Sequence, residues 1–240
     1  MSNVELFSFA SDLELAKAAA SRWLEFLESS EPVSHQTSVA LSGGRIARRF
    51  FSEFANLAAS RRVSLNSVHF FWGDERCVPP TDPESNFAVA QELLFTPLKI
   101  SSDRIHRIRG EDVPDSAATQ AEAELRKIVP ADASGQLMLD LVFLGMGEDG
   151  HVASLFPSET EQAISDKRVY RPVTTSKPPP RRITISYQTI AAAKQVWVLA
   201  SGSGKEKALR ESLAPQGATP LARVIRSRGS TKVFTDVVLR

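Results

Sequence analysis

One histidine stands in the most glycine-rich segment of the chain, residues 145–151, which read Gly-Met-Gly-Glu-Asp-Gly-His. Histidine is the side chain best suited to proton transfer near neutral pH, because its unperturbed pKa is about 6.5. Asp149 either orients the ring of His151 or caps the loop. Gly147 and its neighbouring glycines permit a contorted backbone with inward-pointing N–H groups. The segment therefore favours a proton-transfer site over the alternative, a surface histidine beside a turn.

A second segment combines two acids with an arginine directly after an apolar run. Asp74 is a candidate for acid–base chemistry, since it follows the predicted strand 68–72 almost at once. Arg76 suits phosphate because its planar guanidinium donates two parallel hydrogen bonds. Taken alone, this segment also fits a solvated run of charges.

Further residues have the properties of an anion site. A glycine turn between a predicted strand and a predicted helix offers free N–H groups at the positive end of the helix dipole, which favours phosphate. That turn consists of Ser42, Gly43, Gly44 and Arg45. Arg182 and Lys205 are cations near the ends of later predicted elements and would reinforce the site. The alternatives are a plain tight turn and ordinary surface cations.

Strands and helices alternate along the chain, which indicates an α/β fold: a Rossmann-like, mostly parallel sheet with helices on both faces. Ligands of such sheets bind beyond the carboxyl ends of the strands, and the first three segments each follow a predicted strand. We therefore expect them to meet in one crevice. Strands are predicted at residues 37–41, 68–72, 105–108, 139–145, 182–187, 195–201 and 232–239. Helices are predicted after residue 44, from Asp82-Pro83 onward, and at residues 115–129, 205–213 and 221–225.

Length, composition and charge indicate a single domain and argue against nucleic-acid binding, membrane binding and a metal site. The 240 residues, of which 42% are hydrophobic, suit a single domain spanning 1–240. A net charge of +1 gives no strong field for nucleic acid or an anionic membrane, and no run of residues is long and apolar enough to span a bilayer. Cys77 is the single cysteine, and His35, His69 and His106 lack metal-type spacing, so we expect no metal and a cytoplasmic protein. His69, within an apolar strand, is expected in the core or just behind the site.

The chain resembles a known family, the glucosamine-6-phosphate isomerases and 6-phosphogluconolactonases. Within that family it is most similar to the lactonases. The resemblance covers nearly the whole chain. It rests on Phe-Trp-Gly-Asp-Glu-Arg-Cys-Val-Pro at 71–79, Glu-Ser-Asn-Phe at 84–87, Gly-Met-Gly-Glu-Asp-Gly-His-Val-Ala-Ser-Leu-Phe-Pro at 145–157, Pro-Arg-Arg-Ile-Thr at 180–184 and Gly-Lys at 204–205. It implies a fold like that of glucosamine-6-phosphate deaminase and hydrolysis of a phosphorylated sugar lactone without a cofactor.

The resemblance also implies roles for particular residues. His151 would activate water with help from Asp149, while Arg76 and Asp74 complete the catalytic set. Backbone N–H groups such as that of Gly147 would stabilise the oxyanion. The glycine turn, Asn86, Arg182 and Lys205 would bind substrate. The family usually has Ser-Thr-Pro after the two glycines, where this chain has Arg-Ile-Ala at 45–47; Arg45 either replaces the lost hydroxyls or points to solvent.

Two other functions remain open. A deaminase-like sugar-phosphate isomerase would carry Glu five residues after the histidine, where this chain has Phe156, and Asp-Glu-Tyr where it has Asp-Glu-Arg at 74–76. A catalytically silent sugar-phosphate sensor would explain the altered turn at Arg45. For assembly, we expect a monomer or a weak homodimer.

Overall fold

A computed structural model describes residues 3–29 and 36–239, so His35 lies outside the described residues. The strands are β1 Asn3–Ser8, β2 Thr37–Leu41, β3 Val68–Trp72, β4 Asp74–Arg76, β5 Leu141–Gly145, β6 Tyr170–Thr174, β7 Arg181–Ile185, β8 Gln195–Ala200 and β9 Ser230–Thr235. The helices are α1 Asp12–Ser29, α2 Arg45–Arg61, α3 Asn86–Ala90, α4 Thr96–Leu98, α5 Pro114–Ile128, α6 Glu161–Ile164, α7 Tyr187–Ala192, α8 Glu206–Leu213 and α9 Pro220–Arg226. A π-helical turn, Gln91–Phe95, joins α3 to α4.

Six strands form a parallel sheet in the order β1-β9-β8-β5-β2-β3. Every residue of β2 and of β3 is buried, so both faces of the sheet are covered by helices and loops. Aromatic side chains fill one part of the core, where Trp23 of α1 stacks on Phe54 of α2 with 3.8 Å between ring centroids. The predicted α/β fold with a mostly parallel sheet is confirmed. His69 is buried in β3, as expected.

A second, antiparallel sheet consists of β4, β7 and β6, and it adjoins the end of β3, since β4 begins two residues after β3 ends and the Ile185 N–H donates to the Gly73 carbonyl oxygen. Its register places Arg76 of β4 opposite Arg182 of β7, so the small sheet brings two predicted anion-binding residues together. The strand predicted at 182–187 is confirmed as β7 but ends earlier, because the Ser186 hydroxyl caps α7 by accepting the backbone N–H of Thr189 at 3.3 Å.

Two predicted elements are wrong. The helix expected from Asp82-Pro83 begins only at Asn86, since the Asp82 carboxylate closes a turn by accepting the N–H of Glu84. The helix start is fixed instead by the buried Glu75 carboxylate, which accepts the N–H groups of Asn86 and Phe87, each at 2.8 Å. The strand expected at 105–108 is a single parallel bridge between Phe70 and Ile105.

Within the described part of the chain, no helix has the length and apolar character needed to cross a bilayer.

Candidate active site

The loops that follow β2, β3, β5 and β8 meet at one edge of the main sheet, around a cavity of about 340 Å³. The structure thus brings together the segments that the sequence singled out. The residues that line the cavity include Ser42, Gly43, Gly44, Arg45, Asp74, Arg76, Gly147, Glu148, His151, Lys177, Arg182 and Lys205. Lys177 also lies near the ring of Phe156. Two predicted site residues, Asn86 and Asp149, do not line the cavity themselves. Asn86 contacts Asp74, and Asp149 contacts His151, both of which line it.

His151 and Asp149 form a hydrogen-bonded pair in which the ring Nδ1 lies 2.5 Å from the Asp149 Oδ1. The same carboxylate oxygen accepts the backbone N–H of His151 at 3.3 Å, so Asp149 fixes both the ring and the loop. Because a carboxylate requires a donor, Nδ1 carries the hydrogen and Nε2 is the nitrogen free to accept a proton. Both alternatives for Asp149 that the sequence left open are therefore realised.

Burial of the ring lowers the pKa of His151 below its ordinary value, against the opposing effect of the Asp149 charge. Burial also opposes the ionisation of Asp149, but hydrogen bonds from Lys177 and His151 outweigh it and hold the pKa of that carboxyl well below its usual range. At neutral pH the pair consists of a neutral imidazole and an ionised carboxylate, the state that a general base needs.

Sequence reasoning missed Lys177 and the position of Phe156. The Lys177 Nζ lies 2.6 Å from the Asp149 Oδ2 and 3.2 Å from the His151 Nδ1. The Phe156 ring packs against the imidazole with 4.9 Å between centroids. Lys177 belongs to a proline-rich connector, 26 residues from His151, and its position depends on how β7 returns to the site. Its spacing therefore gave no signal.

Close packing explains the glycine at position 147. A Cβ added there would lie 2.0 Å from the His151 Nδ1, so any side chain would displace the ring. The neighbouring Gly145 N–H donates to the Ser42 hydroxyl at 3.2 Å, which ties this loop to the turn after β2. Glycine at position 147 is thus required by the close approach of the His151 ring.

The turn after β2 is equally constrained. A Cβ on Gly43 would lie 1.8 Å from the Asn86 Oδ1, whereas Gly44 has a φ of 97° that favours glycine. Asn86 is buried, and its side-chain amide donates to the backbone oxygen of Asp74 at 2.9 Å and to the Asp74 Oδ1 at 3.3 Å. Asn86 therefore packs against the glycine turn and fixes the position of Asp74 by hydrogen bonds.

Asp74 is buried at the cavity wall, where its Oδ2 accepts the Ser154 hydroxyl at 2.6 Å. Ser154 belongs to the loop that follows His151, and its backbone N–H donates to the Thr184 hydroxyl. Asp74 consequently couples the small sheet to the histidine loop. What looked like a solvated charge run is a short buried strand.

Five cationic side chains line the cavity within the described residues: Lys177, described above, and Arg45, Arg76, Arg182 and Lys205, which differ in exposure. Arg182 is buried and uses its Nε to hold the Pro179 carbonyl oxygen at 3.0 Å; burial, reinforced by the charge of Arg76, lowers its pKa. Burial, reinforced by Arg45, likewise lowers the pKa of Lys205. Arg76 donates through Nη1 to the Glu84 carbonyl oxygen at 2.9 Å. The Arg45 side chain is 85% exposed, with its Nη2 3.9 Å from a Glu148 carboxylate oxygen.

Known proteins match this chain over most of its length. A family model described as glucosamine-6-phosphate isomerases/6-phosphogluconolactonase matches residues 10–234. The 6-phosphogluconolactonase of Haemophilus influenzae is 35% identical over 209 residues, which cover 85% of this chain and 86% of that protein. That of Streptomyces coelicolor is 32% identical over 209 residues, covering 85% and 80%.

The chain belongs to the glucosamine-6-phosphate isomerase/6-phosphogluconolactonase family. The sequence-based recognition of the family, and of an enzyme, is confirmed. The solved 6-phosphogluconolactonase of Trypanosoma brucei superposes with a TM-score of 0.83 at 27% identity, covering 98% of this chain and 97% of that one. A monomeric glucosamine-6-phosphate deaminase superposes with a TM-score of 0.81 at 17% identity, a likeness of fold alone.

Within this family, the residue five positions after the histidine separates the deaminases from the lactonases in the resemblance described above. Here that residue is Phe156, and its ring packs against the His151 imidazole at an interplanar angle of 40°. The Lys177 Nζ and the Arg182 guanidinium lie 5.6 and 5.7 Å from the centre of the same ring. An apolar ring thus packs beside the histidine and near both cations, at the position where the resemblance places a carboxylate in the deaminases.

Proposed function

We propose that this protein hydrolyses 6-phospho-D-glucono-1,5-lactone to 6-phospho-D-gluconate, a step of the oxidative pentose phosphate pathway. The observation that carries the proposal is His151, hydrogen-bonded to Asp149, at the wall of a cavity that is also lined by Arg76, Arg182 and Lys205. A base that activates water, next to cations that bind phosphate, fits a phosphorylated ester. Membership of the family and the names of its relatives support the same reaction.

In the proposed reaction, Nε2 of His151 takes a proton from a water molecule as the water oxygen bonds to C1 of the lactone. The C1 carbonyl oxygen becomes an oxyanion, and backbone N–H groups of the loop around Gly147, with Arg76, stabilise it. The bond between C1 and the ring oxygen then breaks, and the imidazolium returns its proton to that oxygen. Acid–base assistance of this kind contributes about 10²–10⁴ in rate, and one oxyanion donor contributes about 3 kcal/mol.

The phosphate would lie against the glycine turn, with Arg182 and Lys205. Helix α2 begins at Arg45, and the backbone N–H groups of its first turn would face the phosphate at the glycine turn. Arg182 also holds the carbonyl oxygens of Pro178 and Pro179, so its guanidinium is fixed before substrate binds. Binding this remote group would position the lactone carbonyl against the attacking water.

Phe156 favours the lactonase over the deaminase-like isomerase. Deamination of an amino sugar and aldose–ketose isomerisation need carboxylates that move protons, and an apolar ring beside His151 cannot do this. The same apolar ring contributes to the burial of the imidazole, and burial disfavours the charged form.

The proposal is tested by following hydrolysis of freshly generated 6-phosphogluconolactone, coupled to 6-phosphogluconate dehydrogenase. Unphosphorylated gluconolactone and an enzyme-free control run beside it, since the lactone opens spontaneously. A rate well above background for the phosphorylated substrate alone is expected. A background rate would overturn the proposal; ammonia release from glucosamine 6-phosphate would then identify a deaminase, and a rise in melting temperature with 6-phosphogluconate but no turnover would identify a sensor.

A further inference from the structure

The connector between β6 and β7 is built to present one lysine to the catalytic pair. The buried Arg182 donates from Nε to the Pro179 carbonyl oxygen at 3.0 Å and from Nη2 to the Pro178 carbonyl oxygen at 3.2 Å. The Lys177 N–H donates to the Thr175 hydroxyl at 3.3 Å. The Arg182 Nη2 also donates to the Lys177 carbonyl oxygen at 3.5 Å, so hydrogen bonds hold the Lys177 backbone on both sides.

The ammonium group of Lys177 contacts both members of the pair. Its Nζ lies 2.6 Å from the Asp149 Oδ2, while the other carboxylate oxygen of Asp149 binds the His151 Nδ1 at 2.5 Å. Nζ is also only 3.2 Å from Nδ1. Because Nδ1 already donates to the carboxylate, the lysine is not bonded to the ring and acts on it as a neighbouring positive charge.

A positive charge so near the ring disfavours the protonated imidazole, whereas the Asp149 charge favours it. Asp74 is a further acid that raises the pKa of His151. The other charged residues that line the same cavity are Arg45, Arg76, Glu148, Arg182 and Lys205. Lys177 is the cation in direct contact with the ring nitrogen, so among these cations its charge most strongly disfavours the protonated imidazole of His151.

We propose that Lys177 is a positioning residue for this reaction: it anchors Asp149 through its second oxygen, and its charge beside Nδ1 adds to the effect of burial in keeping His151 neutral. The proposal rests on the hydrolysis proposed above, in which His151 is the base. It differs from a phosphate-binding role, in which Lys177 would contact the substrate and would change affinity alone.

The test compares Lys177→Met, which removes the charge and keeps much of the chain, with Lys177→Arg, which retains the charge. The imidazole pKa of His151 is measured by NMR titration of the substrate-free protein, with the His151 signals assigned by their absence in His151→Asn. The pH dependence of kcat/KM for the phosphorylated lactone is measured in parallel. Melting temperatures check that both variants are folded.

Lys177→Met is expected to raise the pKa of His151, and with it the acid limb of kcat/KM, by about one pH unit, while Lys177→Arg leaves both near the wild type. At a pH below the limb, this corresponds to about a tenfold loss of kcat/KM for Lys177→Met. An unchanged His151 pKa in Lys177→Met would overturn the proposal, and so would a raised KM with an unmoved acid limb. If the NMR shift occurs but the wild type hydrolyses no lactone, Lys177 acts on His151 as proposed and the proposed reaction is what fails.

Discussion

Asp149→Asn is the substitution whose effect follows most directly from the geometry of the site. The side chain keeps its shape but is no longer an anion. In the wild type, one carboxylate oxygen accepts a hydrogen bond from the His151 Nδ1 at 2.5 Å, and the other accepts one from the Lys177 Nζ at 2.6 Å. An amide can turn its NH₂ group toward Nδ1, which places the hydrogen on Nε2 and removes the base. The lysine ammonium then also loses its carboxylate partner beside the ring.

The size of the loss can be set from these contacts. General-base assistance contributes about 10²–10⁴ in rate. The amide still accepts a hydrogen bond in one of its two orientations, so part of the assistance survives. We therefore expect kcat/KM to fall about 100- to 1,000-fold, or about 3–4 kcal/mol of transition-state stabilisation. The acid limb of the pH profile moves to lower pH, because removing an anion lowers the pKa of the neighbouring imidazole.

The assay is initial-rate hydrolysis of the phosphorylated lactone between about pH 5 and 7.5, corrected for spontaneous opening. Binding of 6-phosphogluconate, measured by calorimetry, should stay near the wild-type value since the phosphate contacts lie on other loops. Asp115→Asn is a matched control, because that carboxylate is 78% exposed on α5 and pairs only with Arg168 among the residues described here. A threefold or smaller loss for Asp149→Asn, or a loss expressed only in KM, would refute the role given to the pair.

Two further predictions concern the cavity mouth and the core. In steady-state kinetics, Lys205→Met should raise KM about tenfold, whereas Arg45→Ala should raise it less than threefold. The reason is that Lys205 is the more buried cation, while the Arg45 side chain is 85% exposed and its charge is screened by solvent. Equal effects of the two substitutions on KM would contradict this ranking. Burial, then the charges of His106 and Arg104, lowers the pKa of His69 to about 4. His69 is thus protonated more readily in the unfolded chain, so its own contribution to stability should be constant above about pH 6.5 and fall by about 2 kcal/mol as pH drops toward 4. Burial raises the pKa of Glu75 to about 7 and acts in the opposite direction, so the contribution of His69 is read from the difference between the wild type and a His69 variant. His69→Gln should flatten this dependence in urea unfolding at pH 7.5 and 4.5, and an unaltered slope would count against it.

Much of the site was accessible from the sequence because it depends on strand ends. The carboxyl ends of β2, β3 and β5 lie at one edge of a parallel sheet, so residues that directly follow them converge whatever the loops do. The pairing of Asp149 with His151 is likewise local, since two residues in a glycine turn bring the side chains together. Such features need only the periodicity of the strands and the spacing within one loop.

The parts that sequence reasoning missed depend on contacts between distant segments. β4 has three residues and no periodicity to detect, and it exists because it pairs with β7 more than 100 residues later. The false helix start at Asp82-Pro83 followed a sound local rule, but the buried Glu75 carboxylate binds the N–H groups of Asn86 and Phe87 and sets the start there. Lys177 reaches His151 only because Arg182 fixes its loop.

In the proposed reaction, His151 activates water for attack on a phosphorylated lactone. The most direct measurement is turnover of freshly generated 6-phosphogluconolactone by His151→Asn beside the wild type, with 6-phosphogluconate binding measured on both proteins. We predict that turnover falls by about 10²–10⁴ while the product still binds with near wild-type affinity. Near wild-type turnover in His151→Asn would contradict the claim.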